Sequence, residues 1–271
     1  MTLKEKFKIV KNQKTSLLAT NFYNFETLHA VVSAAKEVNR PLILQLTKSS
    51  INYMGLRQAV NMARIEADEQ GVEVWIHLDH GDCFELAESC IKAGFDSVMI
   101  DASEQPIDKN IKTTKAVVDF AHSNGVCVEA ELGYVAKLGQ SKTKNGFTDP
   151  LEAQFFVNET RVDSLAVAIG SAHGFYTQKP QLDLDLLYRI NELVGIPLVL
   201  HGASGIPHDD LRAAVDRGIC KVNLATEIKN AFMKKIKSDL FESEEIDLRL
   251  VFPPAIESVK QLVMEKLKVI S

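Results

Sequence analysis

Three histidines, each beside a glycine and each closing an apolar run, are the side chains in this sequence best placed for chemistry. They are His80 in Trp75-Ile76-His77-Leu78-Asp79-His80-Gly81, His173 in Ala168-Ile169-Gly170-Ser171-Ala172-His173-Gly174, and His201 in Leu198-Val199-Leu200-His201-Gly202. An ionisable group that ends a hydrophobic strand must be paired, bound to a metal or turned toward a water-filled mouth. One such histidine is ordinarily a satisfied polar residue. Three of them suit a catalytic zinc ion, which takes three protein ligands and keeps one position open. Asp79 sets a carboxylate next to the first imidazole. The other histidines read differently: His29, His122 and His208 fall on helical segments or their starts, at the surface, and His77 sits within a strand as an inward-facing core residue.

The elements that must gather these residues are short β-rich runs alternating with amphipathic stretches. Eight runs stand out, at 17–22, 41–46, 72–79, 97–101, 126–132, 164–170, 197–201 and 221–225. Most are continuously apolar, as strands buried on both faces are. Helical segments at 26–38, 83–93 and 107–122 run up to Asn39, Gly94 and Gly125, residues that stop helices. Asp149-Pro150 opens another, with an N-cap carboxylate and proline at the first helical position. Pro207-His208-Asp209-Asp210 begins the helix before the last run, and 253–270 forms an added amphipathic helix suited to docking or oligomer contacts. Eight βα units across 271 residues predict one α/β domain over 1–271, a (β/α)8 TIM barrel with an additional C-terminal helix. An open doubly wound sheet is the alternative.

In such a barrel the functional groups collect where the strands end. Asp79 and His80 end the third strand, Asp101 the fourth, and Glu131 nearly ends the fifth. His173 follows the sixth, His201 ends the seventh, and Asn223 and Thr226 flank the end of the eighth. Gly174 and the run Gly202-Ala203-Ser204-Gly205 let backbone N–H groups approach an anion, at the loops where barrels commonly hold phosphate.

Composition narrows the partners. A formal net charge of −5 argues against nucleic acid, because neutralising phosphates needs a basic face. No apolar run approaches the roughly 20 residues of a membrane span, and the charged opening Met1-Thr2-Leu3-Lys4-Glu5-Lys6-Phe7 is no signal peptide. Four scattered cysteines without a C-x-x-C pair indicate neither a disulfide scaffold nor zinc held by sulfur. The chain reads as cytoplasmic.

Taken together, His77-Leu78-Asp79-His80-Gly81, Ser97-Val98-Met99-Ile100-Asp101-Ala102-Ser103, Val128-Glu129-Ala130-Glu131-Leu132-Gly133, Ala172-His173-Gly174, Leu200-His201-Gly202-Ala203-Ser204-Gly205 and Lys221-Val222-Asn223-Leu224-Ala225-Thr226-Glu227 resemble the class II, zinc-dependent aldolases over nearly the full length. The resemblance implies that His80, His173 and His201 bind the zinc ion and that Asp79 is the acid/base at the C4 hydroxyl of a ketose bisphosphate. It implies that Asp101 and Glu131 hold metal when it shifts or when a second ion binds. Gly174, Gly202, Ser204, Asn223 and Thr226 match phosphate-binding positions, where a monovalent cation (Na+ or K+) often accompanies the phosphate. The products would be dihydroxyacetone phosphate and an aldehyde, typically glyceraldehyde 3-phosphate, and the assembly a homodimer or homotetramer. Ala225, where many fructose-bisphosphate enzymes carry an acid, and Thr177, where many carry lysine, point to the tagatose-bisphosphate branch.

One stretch departs from the family. Where its members carry an acidic loop after Glu-Leu-Gly, the segment 134–148 has no carboxylate and holds Lys137, Lys142 and Lys144. It reads as a mobile loop over the mouth in which Tyr134 or a water carries the C3 proton. Alternatively it greets a differently shaped aldehyde, or the protein binds phosphosugar and metal while catalysing poorly. A metal-dependent hydrolase on the same barrel is the rival from another class.

Overall fold

The structure is a computed structural model, which describes residues 1–133, 146–176, 180–241 and 243–271, and the backbone of 136–137. Eight parallel strands close into a barrel, and all eight predicted runs supply them. They are β1 (Leu17–Asn21), β2 (Leu42–Thr47), β3 (Val74–Gly81), β4 (Ser97–Ile100), β5 (Cys127–Leu132), β7 (Ser164–Val167), β9 (Leu198–Leu200) and β10 (Ile219–Leu224). Their order around the barrel is β1-β10-β9-β7-β5-β4-β3-β2. The short strands β6 (Ala136–Lys137) and β8 (Ala172–His173) pair with each other outside it.

Between the strands lie α2 (Phe25–Glu37), α3 (Lys48–Met54), α4 (Leu56–Gln70), α5 (Phe84–Lys92), α6 (Ile107–Ser123), α7 (Pro150–Thr160), α8 (Leu184–Val194) and α9 (His208–Asp216). Before β1 comes α1 (Leu3–Gln13), and after β10 come α10 (Thr226–Phe241), α11 (Leu248–Val251) and α12 (Pro253–Val269). The predicted stops hold, with Asn39, Gly94 and Gly125 all in the left-handed region after their helices. At α7 the Asp149 carboxylate accepts from the N–H groups of Leu151 and Glu152, with Pro150 in the first turn, as the sequence indicates.

Strand periodicity divides the side chains into two sets. Leu42, Leu44 and Leu46 of β2, Ile76 and Leu78 of β3, and Val128, Ala130 and Leu132 of β5 face the helices and join the large outer core. Their neighbours point inward. Leu17, Ile43, Trp75 and Cys127 form an apolar floor that Leu3, Phe7 and Val10 of α1 cover from below. Above that floor the inward residues turn polar: Gln45, His77, Glu129 and Lys221 are all buried. Glu131, Asp79 and Asn223 stand two residues further along their strands, nearer the mouth. The runs read as continuously apolar therefore carry charge on one face.

The C-terminal helix serves the chain's own core first. Ala255, Val259, Val263 and Leu267 of α12 are buried, and the helix packs on α2 and α10. Among the described residues no helix is long and apolar enough to cross a membrane. All four cysteines are free thiols, three of them buried.

Candidate metal centre and active site

His80, His173 and His201 come together at the barrel mouth. Their ring centroids lie 5.1 Å (His80–His173), 4.8 Å (His80–His201) and 5.7 Å (His173–His201) apart. One nitrogen from each lies within 4.8 Å of the others, and His80, Asp101 and Glu131 form a second such group. His80 reaches its place from the end of β3 with φ 50°, a left-handed backbone unusual for a residue bearing a side chain. His201 is fully buried just beyond β9. His173 follows the sixth barrel strand as the sequence indicates, but that strand ends early. The sixth run leaves the barrel at Val167 rather than Gly170, and His173 sits on β8, whose backbone pairs with β6.

Hydrogen bonds fix which nitrogen of His80 and of His201 is available. His80 Nδ1 lies 2.7 Å from Asp101 Oδ2, so it carries the proton and Nε2 carries the lone pair. His201 Nε2 lies 2.9 Å from Glu129 Oε1, which puts the proton on Nε2 and the lone pair on Nδ1. The Asn223 amide is 3.1 Å from that same nitrogen, and its Oδ1 has no hydrogen-bond partner as placed. Turning the amide over would bring that oxygen to the Nε2 proton. His80 Nε2 and His201 Nδ1 then face each other at 3.0 Å. Two lone pairs at that distance repel, so the pair needs either a proton shared in a hydrogen bond or a metal ion that binds both. The donor set fits a zinc ion: three imidazoles converge, and the far nitrogens of His80 and His201 are bonded to the carboxylates of Asp101 and Glu129.

Electrostatics agree. Burial works against a charged His80, but the hydrogen bond to Asp101 and the carboxylates of Asp79 and Glu131 outweigh it and raise its pKa to about 9. A proton takes the cation's place on that ring. Burial, with His80 and His173 nearby, holds His201 well below the ordinary histidine value. Asp101 is itself held below the usual carboxylate range: burial opposes this, and the bonds from His80 and Ser103 prevail.

Comparison with known proteins settles what this rim belongs to. The model for "Fructose-bisphosphate aldolase class-II" matches residues 1–271. The chain belongs to the class II fructose-bisphosphate aldolase family. It is 38% identical over 281 residues to a fructose-bisphosphate aldolase of Helicobacter pylori (strain J99 / ATCC 700824), covering 93% of this chain and 92% of the relative. It is 37% identical over 274 residues to one of Geobacillus stearothermophilus, covering 99% and 96%. Among solved structures it resembles the YdjI aldolase of Escherichia coli K12, with a TM-score of 0.89 and 34% identity over 99% of this chain and 96% of that one. The protein is thus an aldolase, a carbon–carbon lyase acting on a ketose bisphosphate.

Other side chains singled out in the sequence surround the imidazoles. A cavity of about 1190 Å³ opens over them, with Asp79, His80, Asp101, Glu131, His173 and Thr226 in its wall. Asp79 is buried, and its carboxylate accepts from Asn21 Nδ2 at 2.9 Å and Gln45 Nε2 at 3.3 Å. Burial alone would raise its pKa; His80, His201 and Asn21 reverse that and lower it. Glu131 accepts from Ser103 Oγ at 3.3 Å, and Ser103 also bonds Asp101.

In the loop after β9, Gly202 has φ 67°, and a Cβ there would lie 2.4 Å from the Ala172 carbonyl oxygen. Only glycine fits. Tyr176 ties the two loops: its hydroxyl accepts from Ala172 N–H at 2.6 Å and donates to the Gly202 carbonyl at 2.9 Å. Ser204 Oγ accepts from the N–H of Glu227, next to Thr226 at the start of α10. Gly174 also has a positive φ, 109°. Thr177 and most of the loop 134–148, with its lysines and Tyr134, lie outside the described residues.

The sequence reading missed Glu129 and Lys221, which lie deeper in the barrel. A signal was present: a glutamate two positions before Glu131 shares its strand face, and a lysine opens an otherwise apolar run.

Proposed function

We propose that this protein binds a zinc ion through His80, His173 and His201 and reversibly cleaves tagatose 1,6-bisphosphate to dihydroxyacetone phosphate and glyceraldehyde 3-phosphate. The observation that carries the metal assignment is the convergence of the three rings, with one nitrogen of each within 4.8 Å of the others and the far nitrogens of His80 and His201 held by Asp101 and Glu129. When bound, the ion supplies Lewis-acid stabilisation of the negative charge that develops beside the ketose carbonyl.

The chain's own residues do the remaining work. Asp79 takes the C4 hydroxyl proton as the C3–C4 bond breaks and returns it in synthesis. Asn21 and Gln45 hold both of its oxygens in place, leaving each with a lone pair for the substrate. Asp101 orients His80, and with Glu131 it offers a second location for a metal ion. Gly174, Gly202, Ser204, Asn223 and Thr226 receive a substrate phosphate, with a monovalent cation beside it. One catalytic domain over 1–271 carries all of these residues, in a homodimer or homotetramer.

The tagatose assignment is supported by Ala225, which puts a methyl group in the cavity wall where a fructose enzyme would carry an acid. The names of the curated relatives favour fructose 1,6-bisphosphate as the second reading. Steady-state cleavage of the two purified sugars, with zinc present, decides between them. The expected result is a kcat/KM at least about tenfold higher for the tagatose sugar, a difference of roughly 1.4 kcal/mol in transition-state binding. The reverse ranking transfers the assignment to fructose, and cleavage of neither overturns it altogether.

A further inference from the structure

Beneath the imidazoles the barrel encloses charged side chains that no step of the aldol reaction uses. Lys221 and Glu129, with the His77 ring beside them and His201 above, are all at most 1% exposed. Lys221 Nζ donates to Glu129 Oε2 at 2.7 Å and to His77 Nε2 at 3.1 Å. His77 Nδ1 stands 2.9 Å from Ser97 Oγ, and Glu129 Oε1 accepts from His201 Nε2 at 2.9 Å.

The direction of every bond is forced. An ammonium group only donates, so His77 Nε2 accepts and the His77 proton points at Ser97. An ionised carboxylate only accepts, so His201 must present its Nε2 proton to Glu129. Stability is a poor reason to bury such a pair, since apolar residues of similar volume commonly serve as well or better. What the pair does achieve is a defined ring: with Nε2 engaged below, Nδ1 is left unprotonated and aimed at His80.

We propose that Glu129, held by Lys221, is a positioning residue that locks the His201 ring as its Nε2–H tautomer and so presents Nδ1 to the metal. This rests on the reading that His80, His173 and His201 hold the ion. Lys221 acts one step further back, by claiming Oε2 so that Oε1 is turned to His201.

A near-isosteric change tests this. In Glu129→Gln the ammonium of Lys221, which needs an acceptor, takes the amide oxygen. The amide NH2 then faces His201, whose Nε2 must accept while its proton moves to Nδ1. Zinc affinity, measured by competition with a chromophoric chelator, is expected to fall about 10–100-fold. Adding Lys221→Met removes the competing donor, lets the amide oxygen return to the Nε2 proton, and is expected to recover affinity at least about threefold over Glu129→Gln alone. A purely structural role gives the opposite, because a second buried substitution then weakens binding further or leaves it unchanged.

Nitrogen-15 NMR of the histidine rings in zinc-free wild-type protein supplies an answer that needs no variant to fold. A His201 proton on Nε2 is expected, and one on Nδ1 overturns the inference. Affinity of Glu129→Gln within twofold of wild type also overturns it, as does failure of the double variant to recover. Wild-type protein that binds no zinc at all, while showing the Nε2–H tautomer, instead overturns the metal reading of the three histidines.

Discussion

Asp79 is the residue whose replacement separates chemistry from metal binding. It touches none of the three imidazoles through a hydrogen bond among those described, yet it shares a cavity wall with His80 and His173. On the proposed mechanism, Asp79→Asn removes the general base and leaves the metal-ligand nitrogens in place. Cleavage is expected to fall about 10²–10⁴-fold, with zinc affinity changed only a few-fold; equal losses in both would assign Asp79 to the metal instead. His80, His173, His201 and Asp79 were legible because each follows an apolar run that visibly ends. Glu129 and Lys221 were not. Their meaning depends on which residues face them across the barrel, and that follows from strand register, with Leu17 beside Lys221 and Met99 beside Glu129. Register cannot be counted from one sequence.

At the scale of elements, the loop after β9 is held in a form that one methyl group would break. Gly202→Ala combines a positive φ with a Cβ 2.4 Å from the Ala172 carbonyl oxygen, a backbone atom that has little freedom to move. Urea denaturation is expected to show a loss of about 1–3 kcal/mol, accompanied by a KM for the bisphosphate raised at least about tenfold. Unchanged stability and KM would mean that this loop neither is strained nor meets phosphate. The strands were readable because apolar runs bounded by glycine and polar residues mark them well. Helices α1, α3, α4, α8 and α11 were passed over. In α1 and α4 numerous charged residues hide narrow apolar faces, Leu3-Phe7-Val10 in α1 and Ala59-Val60-Ala63 in α4. The early exit of β7 at Val167 was invisible for another reason. Ala168 and Ile169 are as apolar as the strand before them, and only the pairing of Ala172–His173 with Ala136–Lys137 reveals the change of course.

The whole molecule carries a pH signature, because the barrel buries histidines of opposite kinds. Burial holds His77 and His201 well below 6.5. The unfolded chain takes up protons on them as pH falls through about 6.5 and the folded chain does not. Stability is therefore present above that pH and declines below it, by up to roughly 1.4 kcal/mol per pH unit for each histidine. His80, raised to about 9, works the other way. Its contribution is complete below about 6.5 and is lost as pH rises through 9. Metal-stripped protein is thus expected to be most stable near pH 6.5–7, as read from urea midpoints at pH 5.5, 6.5 and 9.5; a monotonic trend would contradict this pairing of shifts. The closed eight-stranded barrel itself was the most legible feature of all, since eight alternating βα units over 271 residues leave few other ways to bury so many apolar strands. The direct test of the metal centre is X-ray absorption at the zinc edge on purified protein loaded with one equivalent of zinc. A first shell containing three imidazole nitrogens is expected, falling to two in His173→Ala. A shell of oxygen or sulfur ligands, or one unaffected by that substitution, would contradict a zinc ion held by His80, His173 and His201.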